Sequence, residues 1–227
     1  DAGNDLCIVI AKDSISAEQI RKELTFFKPL TPVYCFPDWE TLIYDSFSPH
    51  QDIISDRLRM LNQLPTLNTG VVIVPANTAM QKLSPPHFIL NESLLISVGQ
   101  KFDFLQMRKK LESVAYRSVD NVVEHGEFAV RGSIMDIFPM GSNEPYRIDL
   151  FDDEIDSIRV FEPETQLSID KVSNIELLPA REVPMTKDAV RRFQNRWHEN
   201  LSDIRDSPIY KDVSAGISPT GIEYFIP

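Results

Sequence analysis

Apolar positions along the chain change rhythm twice, and each change marks a new kind of structure. From Leu6 to Pro75, short apolar runs alternate with helical periodicity. Leu6–Ala11, Pro32–Phe36 and Gly70–Pro75 read as strands, the first and third dense enough in apolar residues to be buried on both faces. Between the first two, Ile20, Leu24 and Phe27 mark one face of a helix, with Ser16 as N-cap and Gln19 completing a capping box. Ile54, Leu58 and Leu61 mark a second helix, started by Ser48, Pro49 and Gln51. The β-α-β-α-β order predicts parallel strands joined by right-handed crossovers.

Ser84-Pro85-Pro86 breaks this rhythm. A strand-like run at Leu94–Val98 and a helix capped by Asp103, with Phe104, Met107, Leu111 and Val114 as its stripe, open the second region. Period-two runs follow at Glu127–Arg131, Ser133–Phe138, Tyr146–Phe151 and Ile155–Phe161. Gly132 reads as a bulge or a close approach, and Asp152-Asp153-Glu154 as a turn. After Pro179 and Pro184 the helical period returns, capped by Thr186, with Val190, Phe193, Trp197 and Leu201 on one face. Residues 202–227 are mostly turn formers and read as a truncated end. The division expected is 1–92, parallel α/β; 93–179, a small inserted α+β unit; and 180–227, the start of a further unit.

Charge narrows the function. The 227 residues carry 23 basic and 34 acidic side chains, a net of −11. Strong binding of nucleic acid needs clustered Lys and Arg, so weak, damage-insensitive DNA binding is expected. The longest apolar runs are too short to cross a membrane, and without a basic-then-apolar opening secretion is not expected. Cys7 and Cys35 sit in apolar runs and read as buried thiols. Gly216 and Gly221 have phosphate-loop spacing, but Ile222 and Glu223 follow where Lys and Ser/Thr are required, so no ATP site is expected. None of the four histidines forms a metal pair at i,i+4. His125 reads as a solvated turn residue, and the acids from Asp149 to Asp156 as a solvated hairpin without EF-hand spacing. No nucleophile constellation and no metal or cofactor site is evident.

The strand Arg147-Ile148-Asp149-Leu150-Phe151 carries the sharpest signal. Alternation turns Ile148 and Leu150 to the core and Arg147, Asp149 and Phe151 outward. A guanidinium beside an exposed aromatic is the composition of an interface hot spot. In the competing arrangement Phe151 folds under the turn and Arg147 pairs with a nearby acid. The pattern by itself leans toward that second arrangement.

Three stretches point to a family. They are Asp38-Trp39-Glu40-Thr41-Leu42 with Tyr44-Asp45-Ser46-Phe47-Ser48-Pro49-His50-Gln51-Asp52-Ile53-Ile54; Glu124-His125-Gly126-Glu127-Phe128 with Arg131-Gly132; and Asp136-Ile137-Phe138-Pro139-Met140-Gly141-Ser142 through Phe161. Together with Gly221-Ile222-Glu223-Tyr224, they resemble the UvrB-like N-terminal part of bacterial transcription-repair coupling factors. The resemblance implies domain 1a, a degenerate RecA/helicase-like layer lacking its P-loop; an inserted domain 2; and the start of domain 1b. It implies that domain 2 binds UvrA, with the family's two contacting arginines and following aromatic falling on Arg131, Arg147 and Phe151. The P-loop of UvrB precedes the first strand here, and the stretch corresponding to the aromatic hairpin with which UvrB probes damage, Phe36–Pro65, is short and reads as loop plus helix, so no damage verification is expected.

In the full-length family, ATP and Mg drive a translocase that removes stalled RNA polymerase from double-stranded DNA, through modules outside this chain. The expectation is thus a cytoplasmic, non-catalytic recruitment module. The alternative is a vestigial nucleotide- or DNA-processing domain acting mainly as an intramolecular regulatory clamp.

Overall fold

The computed structural model describes residues 5–42, 47–200 and 207–225. Leu201 and the Tyr44-Asp45-Ser46 motif lie outside these residues. The first region runs β1 (Leu6–Ala11), α1 (Ser14–Phe27), β2 (Val33–Cys35), α2 (Gln51–Gln63), β3 (Gly70–Pro75), α3 (Ala76–Ala79) and α4 (Pro86–Glu92). Its three strands form a parallel sheet in the order β1-β3-β2, as the alternating rhythm predicts.

The burial of β1 differs from expectation. Val9 and Ala11 pack beneath α1 beside Ala17 and Ile73, but Cys7, Ile8 and Ile10 are exposed. β1 is an edge strand, and the cluster around α2 gathers Val72 of the central strand instead. Composition alone does not distinguish an edge from a centre. Cys35 is half-buried, so neither thiol is the buried one expected.

Two caps are also displaced. Asp13, in extended backbone, caps α1 by accepting the Ser16 N–H at 2.8 Å, while Gln19 bonds Glu23. His50 caps α2, which frees the Ser48 hydroxyl to accept the Gly221 N–H at 3.1 Å.

The middle region comprises β4 (Leu94–Ser97), α5 (Phe104–Ser113), β5 (Arg117–Ser118), β6 (Glu127–Arg131), β7 (Ile134–Phe138), β8 (Tyr146–Phe151), β9 (Glu154–Phe161), β10 (Ser168–Val172) and β11 (Asn174–Leu177). Strands β5 to β10 make one sheet in reverse chain order, antiparallel except for the β5–β6 pair. β4 and β11 pair antiparallel, Leu94 opposite Leu177, so the entry and exit of this region run side by side. β10 escapes the sequence pattern because its first four residues are exposed and it has no apolar alternation. Gly132 is no bulge. It takes φ +61° in the tight turn between β6 and β7, a conformation that favours glycine. A bulge lies between β8 and β9, where Asp149 faces Ser157 but Leu150 faces Ile155, and the register shifts again between β9 and β10.

The tail holds α6 (Lys187–Asn200), with Thr186 capping Ala189, and α7 (Pro208–Ser214). α7 lies in a stretch whose composition suggests only turns. α4 likewise begins at the proline pair read as a break, with Pro86 at its first helical position.

Helix α2 is the seam between the layers. Ile54, Leu58 and Leu61 belong to the same buried cluster as Leu111, Phe128, Met135, Ile148 and Ile158. Its polar side binds the loop after β7: the Ser55 hydroxyl accepts the Gly141 N–H, and Arg59 Nε donates to the Gly141 carbonyl, both at 2.8 Å. His125 is not solvated. It lies against the Phe138 ring, its Nδ1 is 2.7 Å from an Asp52 carboxylate oxygen, and its Nε2 is 2.8 Å from the Ser142 carbonyl.

Arg57 projects from α2 into a fully buried ion pair. Its Nε and Nη2 each donate to Glu182 at 2.8 Å, and Nη1 donates to the Pro37 carbonyl at 2.7 Å. The guanidinium sits 4.7 Å from the Phe36 ring centre and 4.6 Å from that of Trp39, whose Nε1 also donates to Glu182 at 3.1 Å. The Ser84 hydroxyl donates to the Glu182 carbonyl. Removing one partner strands the other charge away from water. Glu182→Ala should cost about 3–5 kcal/mol, and an Arg57→Met/Glu182→Leu double variant should recover most of that loss. Urea midpoints of the single and double variants check both statements.

Candidate functional site

Alternation and register lay out the outer face of the six-stranded sheet as rows. One row reads Ala129, Asp136, Arg147, Arg159 across β6 to β9. The next reads Arg131, Ile134, Asp149, Ser157, and Phe151 follows opposite Glu154 at the hairpin end. The inner face carries Phe128, Met135, Ile137, Ile148 and Ile158 into the core. At the far end of the outer face, Ala129, Phe138 and Phe161 pack with Val122 in a small cluster of their own. The accessible part is therefore the end nearest the β6–β7 and β8–β9 turns.

Asp136 organises that end. Its carboxylate is 2% exposed and takes a two-pronged ion pair from Arg147, Nε to Oδ1 at 2.7 Å and Nη2 to Oδ2 at 2.9 Å. Arg147 also donates to the Gln166 carbonyl at 3.1 Å and lies over the Phe161 ring at 5.1 Å. Its hydrogen bonds to Asp136 raise its pKa above the ordinary guanidinium value, so it is permanently charged. Arg131 reaches the same Asp136 at 3.8 Å and donates through Nη2 to the Asp120 carbonyl at 2.7 Å and Asn121 Oδ1 at 3.0 Å. Arg159 pairs with Asp149, which also accepts from the Ser157 hydroxyl at 3.2 Å.

The structure thus brings Arg131 and Arg147 together on one carboxylate. Phe151 lies on the same face, four residues along β8 from Arg147, about 13 Å by strand geometry. It is 79% exposed, so it does not fold under the turn. The two arrangements left open by the sequence are each half realised: Arg147 pairs with an acid, and Phe151 stands free. Arg147 is only 18% exposed, against 50% for Arg131. Arg147 is therefore not the lightly packed outer-face residue that alternation implies.

Two members of the site were missed. Asp136 lies in a quoted motif, and alternation sets it two residues from Ile134 on the outer face. Arg159 is displaced by the bulge. Ile155 and Ile158 are three apart and both buried, which simple alternation forbids, and this spacing is the signal for the extra residue. The acidic tip is partly engaged, with Asp153 bound by Lys101 at 2.9 Å. A separate cleft of about 570 Å³ opens beside Asp38, Trp39, Gln81 and Tyr224. Asp38 there already accepts from Thr78 at 3.1 Å and Gln81 at 2.9 Å.

Residues 94–183 match the UvrB interaction domain family. That span begins at β4, ends just past Glu182 and contains the whole arginine-bearing sheet. Beyond that domain, nearly the entire chain is similar to transcription-repair-coupling factors. It is 48% identical to the protein of Escherichia coli over 97% of this chain and 19% of that protein. It is 44% identical to that of Haemophilus influenzae over 100% of this chain and 20% of the relative, and 31% identical to that of Staphylococcus aureus strain Mu50 over 92% and 18%. The chain spans about a fifth of the length of these relatives.

Burial sets how each site residue bears on stability. Arg147→Ala leaves Asp136 charged and buried and should cost about 2–4 kcal/mol. Arg131→Ala and Phe151→Ala should each change stability by about 0.5 kcal/mol or less. Thermal melts of the three variants separate these cases.

Proposed function

We propose that this region is a non-catalytic recruitment module of transcription-coupled repair. On this reading residues 93–179 form the docking unit, domain 2, set between domain 1a at 1–92 and the start of domain 1b at 180–227. Its outer face binds UvrA. Through it, a transcription-repair-coupling factor that has engaged stalled RNA polymerase on DNA with its other parts hands the site to nucleotide excision repair in the cytoplasm. The parallel layer is then a degenerate RecA-like domain that holds the docking unit and needs no nucleotide of its own; ATP and Mg belong to motor regions elsewhere.

The observation that carries this reading is Phe151, a large aromatic standing in solvent on the same sheet face as a set of charged guanidiniums. An aromatic in that position gains by entering a partner's apolar pocket, and the arginines supply charge-assisted bonds to carboxylates around it. The similarity to coupling factors and the match to the UvrB interaction domain support the same assignment.

Phe151→Ala should weaken UvrA binding by about 2 kcal/mol, roughly 30-fold, as hot-spot truncations do. Calorimetric titration with purified UvrA, beside melts showing an intact fold, is the test. Unchanged affinity rejects the reading.

A further inference from the structure

We propose that Arg159 is a further UvrA-contacting residue, and that the face it completes takes a partner strip bearing carboxylates at two neighbouring levels. This rests on the docking reading above and extends it from β6 and β8 to β9.

Register places Arg159 directly opposite Arg147 on the adjacent strand. Like charges in directly opposed positions repel, so the pairing is unfavourable for the sheet by itself. Each guanidinium is restrained by its own aspartate, Arg147 by Asp136 in the same row and Arg159 by Asp149 one row over. The row continues to Lys171 of β10, directly opposite Arg159, so three cations stand side by side beyond Asp136, within a chain of net −11. A face serving only the fold has no need of a second arginine against the first. A face that receives an acidic partner gains from both.

Accessibility favours Arg159 over Arg147. Its side chain is 36% exposed against 18% for Arg147. Nε and Nη2 of Arg159 both turn to Asp149, and among the described residues its Nη1 has no hydrogen-bond partner. That edge of the fork is available for a partner carboxylate. Neighbouring strands lie about 4.8 Å apart, so the two opposed arginines present adjacent anchoring points, with Arg131 offset by one row. Phe151 then sits at the edge of the charged strip.

The test is a titration of purified UvrA between 50 and 300 mM salt against the unsubstituted chain, Arg159→Gln, Arg159→Lys and Phe151→Ala. Melting temperatures are measured alongside. Arg159→Gln should bind about tenfold more weakly at low salt, with a shallower salt dependence, because one charged contact is lost. Arg159→Lys keeps the charge and its pairing with Asp149, and it should bind more tightly than Arg159→Gln. Normal affinity in Arg159→Gln while Phe151→Ala binds poorly overturns the assignment of Arg159 and leaves the docking reading standing. A loss that follows the melting temperature and is equal at both salt extremes also overturns it. Normal affinity in Phe151→Ala overturns the docking reading itself, and this proposal with it.

Discussion

Arg57 and Glu182 lie 125 positions apart, yet they meet in a contact that is fully buried from water. An ion pair so placed forms only when both chain segments are already in position, because either charge alone in that environment is heavily penalised. Arg57 fixes α2 against the loop carrying Phe36, Pro37 and Trp39. Glu182 fixes the chain just after the middle region has closed through the separate β4–β11 pair. The rest of the arrangement follows from this lock. α2 becomes the seam, with one side turned to the shared apolar cluster and another to the Gly141 loop. The six-stranded sheet is thereby held with its inner face covered and its arginine-bearing face outward.

The same pairing chemistry has a different consequence at the surface. Asp136 is nearly as buried as Glu182, but its arginine stands at the boundary with solvent. Arg147 is at once a structural counter-ion and a charged group on the outer face. Loss of binding in an Arg147 variant would mix these two effects, whereas Arg131 and Phe151 report on docking with little structural penalty. A tyrosine strengthens the support from below. The buried Tyr116 hydroxyl donates to the Leu178 carbonyl at 2.8 Å and accepts the Met140 N–H at 3.1 Å, and burial drives its pKa up, so it stays a neutral donor.

The parallel layer was legible because its strands and helices are locally patterned. Apolar runs alternate with helical stripes there, although its two helix caps fall on Asp13 and His50; outside that layer, α5 and α6 begin at the expected caps, Asp103 and Thr186. What stayed hidden was decided by neighbours far away in the chain. β1 looks doubly buried because its composition is that of a central strand, while its place at the edge leaves Ile8 and Ile10 in solvent. His125 looks like a turn residue because nothing local announces Asp52 or Ser142 as its partners. In the site, alternation alone oriented Arg147 and Phe151 correctly but could not reveal Asp136 as the shared counter-ion. Arg159 required the bulge on β9 between Ile155 and Ser157, opposite the Asp149–Leu150 step, detectable only through the three-residue spacing of Ile155 and Ile158.

Hydroxyl-radical footprinting, with and without UvrA, tests most directly whether this outer face is the docking surface. Phe151 is the reporter, and Phe26, Phe27 and Met80, exposed on the parallel layer, serve as internal controls. The account requires oxidation of Phe151 to fall sharply when UvrA is added, while the three controls react as before. Unchanged oxidation of Phe151, with protection appearing at Phe26, Phe27 or Met80 instead, would contradict it.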